Sequence, residues 1–93
     1  MPVLLIEKGK NKGSSLDCSG VNNIVVGRGT DSLLIINDPA VSRNHFKIYL
    51  KNDKYYIEDC GSLNGTMLNG KFIPDAININ FGDQIRIGEN IIS

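Results

Sequence analysis

The sequence predicts an all-β domain built as an antiparallel sandwich or barrel, and three observations lead there. Short runs rich in β-branched and aromatic residues recur at close, regular spacing. Residue pairs that tolerate tight turns stand between them, and no segment carries the apolar stripe of an amphipathic helix. Such runs suit a pleated, half-buried surface. Many short strands joined by tight turns must stack or close to bury their apolar faces.

Taken in order, residues 3–8 form the first strand: the start Met1-Pro2-Val3-Leu4-Leu5-Ile6-Glu7 has no basic n-region and too short an apolar stretch for a signal peptide. Gly9-Lys10-Asn11-Lys12-Gly13-Ser14-Ser15 lacks the Gly-x-x-x-x-Gly-Lys-Ser/Thr spacing of a phosphate loop and no helical pattern follows it, so its lysines read as a solvated hairpin tip. Strands follow at 14–18, at 23–27 around Ile24-Val25-Val26, and at 33–36. Pro39, which cannot donate to a ladder, marks a boundary before the strand 46–50. Asn52-Asp53 turns the chain into 54–60, Asn64-Gly65 into 66–68, and Asn69-Gly70 into 71–73; Pro74 then interrupts before 76–80. Gly82-Asp83 leads into 84–87, and 89–93 begins a last strand.

Ninety-three residues make one domain, and with no run of eighteen apolar residues a membrane span is not expected. Ten basic residues balance ten acidic ones, which argues against the broad basic face of a nucleic-acid binder, so any anion site must be local. Cys18 and Cys60 fall short of the density of a disulfide scaffold; both are expected reduced, as small core residues, in a cytoplasmic setting. One histidine and two isolated cysteines do not make a metal cluster, and no cofactor is expected.

Three polar clusters stand where strand-like runs give way to turns: Gly27-Arg28, Ser42-Arg43-Asn44-His45 and Gly61-Ser62-Leu63-Asn64-Gly65-Thr66. They hold two of the three arginines and the only histidine. Arginine offers a rigid, permanently charged fork of donors that matches phosphate, and serine and asparagine add short neutral donors that orient it. The chemistry is recognition. Arg28 paired with Asp31 on the surface is the plain alternative for the first cluster, and a structural hydrogen-bonding role is the reading for His45. A hydrolase using Ser42 and His45 lacks a third, orienting group.

In this order and with these intervals, the clusters resemble the forkhead-associated (FHA) domain. The resemblance rests on Gly27-Arg28, Asp38-Pro39 with Val41-Ser42-Arg43 and His45, Asp59 with Gly61-Ser62, Asn64-Gly65-Thr66, Asn69-Gly70, and Gly82-Asp83 with Ile85-Arg86-Ile87-Gly88. It implies an FHA/SMAD-like sandwich of about eleven strands, commonly one unit of a larger protein, whose loops at one end bind phosphothreonine in a partner's extended segment downstream of a Ser/Thr kinase. Arg28 and Ser42 match the positions that contact the phosphate, Arg43 matches a frequent further contact, and Asn64 matches the residue that holds the ligand's main chain. Ser62 and Leu63 fall within the same binding stretch, with Leu63, where some relatives have a hydroxyl residue, able to donate only from its backbone. Gly27, His45, Gly65, Thr66 and Asn69 are expected to maintain the loops. Leu33 departs from the acidic residue of many bacterial relatives. The alternative function is a phosphate-independent interaction sandwich; the oligomeric state is left open.

Overall fold

The computed structural model describes residues 3–93; Met1 and Pro2, which lead into the first strand in the sequence reading, lie outside them. Eleven strands form: β1 (Val3–Lys8), β2 (Ser15–Asp17), β3 (Asn23–Gly27), β4 (Leu34–Ile35), β5 (Phe46–Lys51), β6 (Lys54–Asp59), β7 (Met67–Leu68), β8 (Lys71–Phe72), β9 (Ile77–Asn78), β10 (Ile85–Ile87) and β11 (Asn90–Ile92). They make two sheets, of order β2-β1-β11-β10-β7-β8 and β4-β3-β5-β6-β9. The sandwich is therefore the outcome, and among the described residues no helix forms.

The turns follow their chemistry. Asn52 and Asp53 both take positive φ (51° and 61°), as do Asn69 and Gly70 (50° and 86°), the geometry that matches a two-residue hairpin loop to the twist of its strands. One pairing departs from the antiparallel expectation: β4 lies parallel to β3, with Val26 opposite Leu34 and Gly27 opposite Ile35. Parallel neighbours usually need a crossover of a dozen or more residues. This one manages with residues 28–33 because the loop doubles back on itself, held by Leu33 N–H to the Val25 carbonyl (3.0 Å) and Ile36 N–H to the Gly27 carbonyl (2.9 Å). That compact return sets Arg28 at the rim of the sheet.

Alternate residues of the long strands face one core. Leu4, Ile6, Ile24, Val26, Phe46, Ile48, Ile57, Ile85, Ile87 and Ile92 are buried, and Cys18 joins them. Cys60 does not: it is exposed, because β6 ends at Asp59 and the chain has already turned into the next loop. Both thiols are free. On the outer face Tyr49 stacks against Tyr56 with ring centroids 5.8 Å apart, beside a Lys47–Glu58 ion pair of 3.4 Å across β5 and β6, so this face is stabilised by cross-strand pairs.

Phe46 sits where β5 leaves the loop region and is wholly buried. Phe46→Ala should cost about 3–5 kcal/mol, a large part of the stability of a small domain. Urea unfolding would show a much lower midpoint; a shift below about 1 kcal/mol would contradict this packing.

Candidate functional site

The three clusters predicted from the sequence meet at one end of the sandwich, in the loops 28–33, 36–45 and 60–66. The first two loops are zipped together by the backbone. Arg28 N–H donates to the Ser42 carbonyl and Gly29 N–H to the Arg43 carbonyl, each at 3.0 Å, and Arg28 Nε donates to the Val41 carbonyl at 3.0 Å. Gly27 allows this approach: a Cβ there would collide with the carbonyl oxygens of both Ser42 and Arg43. The glycine is a steric requirement of the clamp.

The second and third loops are joined by side chains. Ser42 Oγ accepts the Leu63 N–H at 3.1 Å, and Asn64 Nδ2 donates to the Ala40 carbonyl at 2.8 Å. Buried His45 bridges them from below, accepting the Ser42 N–H at Nδ1 (3.0 Å) and donating from Nε2 to the Gly65 carbonyl (2.8 Å). With both ring nitrogens engaged by backbone, His45 has none left to activate the Ser42 hydroxyl, and a nucleophilic Ser–His pair is not formed.

Asp59 is the residue that sequence reasoning undervalued. Its carboxylate accepts the N–H groups of Gly61 (3.0 Å) and Ser62 (2.9 Å) and the hydroxyls of Ser62 (2.5 Å) and buried Thr66 (2.7 Å). Burial alone pushes this carboxyl up, but hydrogen bonds from the Ser62 and Thr66 hydroxyls and the Ser62 amide outweigh it and hold it below the usual carboxylate range. The signal was an acid at a strand end, followed at short range by serine and threonine.

These bonds engage polar groups of two residues, Ser62 and Leu63, that the sequence places in the binding stretch. Ser62 Oγ donates to Asp59 and accepts the Gly65 N–H at 2.9 Å, so its hydroxyl is occupied in bracing the loop. The Leu63 amide, expected as a free donor, is bound to Ser42, while the Leu63 side chain stands 90% exposed. Asn69 lies beyond the loops, closing the β7–β8 turn and donating from Nδ2 to Asp83 at 3.1 Å. A further link was absent from the sequence reading: buried Asn90 donates to Asp38 at 3.0 Å, and Asp38 in turn accepts the Ala40 N–H at 3.0 Å, which anchors the second loop to the other sheet. Leu33 is half exposed.

Arg28 and Arg43 form no ion pair among the described residues, so the Arg28–Asp31 pairing does not occur. Both arginines are exposed and line a pocket of about 290 Å³ with Gly29, Thr30 and Asp31. A larger cavity, about 370 Å³, opens at the opposite end between Lys54, Tyr55, Asn78 and Phe81, but it lacks this concentration of unpaired cations. Among the described residues no group of three histidine, cysteine or acidic side chains converges as a metal site.

An eleven-stranded sandwich with two unpaired arginines, a serine and an asparagine gathered on its end loops is the form of a loop-based recognition domain. The chain belongs to the FHA domain family, whose model matches residues 24–88. It is 36% identical to the glycogen accumulation regulator GarA of Mycobacterium tuberculosis over 89 residues, covering 94% of this chain and 52% of that protein. It is 30% identical over 89 residues to the FHA domain-containing protein FhaB of the same organism, covering 96% of this chain and 57% of the relative. The chain thus spans little more than half the length of these relatives. Among solved structures it is similar to the FHA domain of the CT664 protein from Chlamydia trachomatis (TM-score 0.89, 25% identity, covering 97% of this chain and 91% of that one). It is also similar to an FHA domain studied for phosphothreonine-dependent interactions (TM-score 0.85, 27% identity, covering 97% and 90%).

A carboxylate held below its unfolded value of about 3.9 contributes stability that is complete above that value and is lost as pH falls through the folded one. Asp59→Asn should therefore be less stable than the parent at pH 7, with the two curves converging below about pH 4. Urea midpoints measured from pH 7 to pH 2.5 check this; parallel curves would show that Asp59 is not the acid-labile brace.

Proposed function

We propose that this chain is a phosphothreonine-peptide-binding module that brings a phosphorylated partner into a complex under the control of a Ser/Thr kinase. The observation that carries the reading is the pair of guanidiniums, Arg28 and Arg43, without ion-pair partners among the described residues, on loops tied together by partly buried hydrogen bonds. A phosphate monoester carries about −1.5 to −2 charge and three acceptor oxygens, and it gains most from donors that are fixed before it arrives. Arg28 supplies the fork, with its Nε held by Val41 and its terminal amino groups left for ligand. The Ser42 hydroxyl accepts from Leu63 and retains its own proton as a donor. Arg43 adds a second charge, and Asn64, tied to Ala40 through Nδ2, keeps its Oδ1 for the ligand's main chain. The phosphothreonine-dependent interactions of the 27%-identical FHA domain support the same reading, as do relatives named as a regulator and as an oxoglutarate dehydrogenase inhibitor, which point to control by binding and not to a chemical step. Free thiols suit the reducing cytoplasm in which such kinases work.

Matched peptides with and without the phosphate separate this function from a phosphate-independent interaction sandwich. Only the phosphorylated form should bind, with affinity falling as salt rises. Arg28→Ala should remove about 2–5 kcal/mol, roughly thirtyfold to a few thousandfold in affinity, while the circular dichroism spectrum stays unchanged. Equal binding of both peptides, or undiminished binding by a folded Arg28→Ala protein, would overturn the assignment.

A further inference from the structure

The chain has two Asn-Gly pairs, Asn64-Gly65 and Asn69-Gly70. Asparagine before glycine is open to spontaneous deamidation, because no side chain shields the glycine nitrogen from the asparagine carboxamide. The two pairs are restrained at different points. At Asn69 the carboxamide is fixed at both ends, with Nδ2 donating to Asp83 at 3.1 Å and Oδ1 accepting the Gln84 N–H at 2.9 Å. At exposed Asn64 only Nδ2 is bound, to the Ala40 carbonyl, and Oδ1 has no partner among the described residues. There the glycine is held instead: Gly65 N–H donates to Ser62 Oγ at 2.9 Å, and Ser62 Oγ donates in turn to Asp59.

We propose that Asn64 is a site of spontaneous deamidation that ends ligand binding, and that the Ser62 hydroxyl sets its rate by holding the Gly65 amide. The modification is independent of the function proposed above; its effect on binding rests on that reading. In the reaction Gly65 N gives its proton to hydroxide and attacks Asn64 Cγ. The N–Cγ bond forms, the Cγ–Nδ2 bond breaks, and Nδ2 takes a proton from water and departs as ammonia. Water then opens the succinimide at either carbonyl and leaves aspartate or isoaspartate at position 64.

Swinging the carboxamide over the glycine nitrogen breaks two hydrogen bonds at Asn69 and one at Asn64, so Asn64 is the more reactive residue. What restrains it is the bond from Gly65 N–H to Ser62, which must break before the proton is lost and the nitrogen turns to Cγ. Asp59 does not draw that proton away through Ser62: its carboxylate, stabilised by the Ser62 and Thr66 hydroxyls and by the Ser62 amide, is held below the usual carboxylate range and is a poor base. The product differs where it matters. Aspartate has no donor for the Ala40 carbonyl and sets a negative charge beside an arriving phosphate, and isoaspartate also lengthens the main chain of the third loop. A ligand bound to Oδ1 fixes the carboxamide at both ends, as at Asn69, so occupied domains are preserved while idle ones are retired.

The test incubates the protein at mildly alkaline pH and follows residues 64 and 69 separately by peptide mass spectrometry. Asn64 should convert before Asn69. Ser62→Ala should hasten conversion at Asn64 about twofold to tenfold, the worth of one hydrogen bond, with Ser62→Thr, which keeps the hydroxyl, close to the parent. Asn69 in the same samples reports general loosening: equal acceleration at both residues would overturn the role of Ser62, and slower conversion in Ser62→Ala would replace it with a base relay. Faster conversion at Asn69 than at Asn64 in the parent would overturn the site. A saturating phosphothreonine peptide, selected from a library on the parent, should slow Asn64 and leave Asn69 unchanged; an unchanged Asn64 rate overturns the link to ligand. Asn64→Asp should bind that peptide at least about tenfold more weakly, and undiminished binding would show that deamidation is no switch. A parent protein that binds no phosphothreonine peptide would instead strike the function proposed above, while the conversion rates would still judge Asn64 and Ser62.

Discussion

Four hydrogen bonds converge on His45, and the shape of the recognition end depends on them. Its amide donates to the Val26 carbonyl and its carbonyl accepts the Cys60 N–H, both at 2.9 Å. Its ring joins Ser42 at 3.0 Å to Gly65 at 2.8 Å. One buried residue thereby fixes β3 and the second and third loops relative to one another. The pattern demands a single tautomer, with the proton on Nε2, because Nδ1 faces an N–H and Nε2 faces a carbonyl. A phenylalanine of similar size would fill the space but leave both backbone groups unsatisfied, at a cost of about 1–3 kcal/mol each. Packing alone does not explain a histidine at this position; the two backbone partners do.

Against this rigid base, the distribution of charge becomes informative. Lys47 pairs with Glu58, and Lys8 and Arg86 lie near Glu89, on exposed faces where such pairs are worth less than about 1 kcal/mol. Among the described residues Arg28 and Arg43 are left without carboxylate partners, in a chain whose formal net charge is zero. Asp31 is close enough to line the same pocket and still forms no ion pair with Arg28. The Arg28 Nε bond to the Val41 carbonyl explains this: the guanidinium is drawn toward the second loop. Neutrality overall and positive charge locally are thus reconciled by a backbone carbonyl that aims one side chain.

The strands were legible in the sequence because period-two burial and turn chemistry are local signals. Runs 46–50 and 54–60 reappear as Phe46–Lys51 and Lys54–Asp59, bounded by Asn52 and Asp53 at positive φ. The site's membership was legible because arginine and histidine are rare in this chain. What escaped were relations set by tertiary geometry. The parallel β3–β4 pairing depends on a loop doubling back, for which residues 28–33 carry no distinctive pattern. Cys60 sits at a strand end, where a shift of one residue decides between core and solvent. Ser62 stands in the binding stretch by its place in the cluster, and only the positions of Asp59 and Gly65 show its hydroxyl bonded to both. Asn90 reaches Asp38 from fifty-two residues away, a separation at which sequence spacing carries no information.

The middle loop is the shared partner of everything at this end. It takes Arg28 and Gly29 through the carbonyls of Val41, Ser42 and Arg43, and it takes the third loop through Ser42 Oγ and the Ala40 carbonyl. Below, Asn90 anchors it through Asp38. A phosphopeptide that engages Arg28, Ser42 and Asn64 together would span all three loops, and each contact would depend on the middle loop keeping its place. Residues coupled through a shared partner do not contribute additively, so loosening the middle loop weakens every contact at once. Its rigidity therefore has to come from the sandwich itself. The strands provide it: β3 receives His45 at Val26, β11 holds Asp38 through Asn90, and β6 ends in the carboxylate that shapes the third loop.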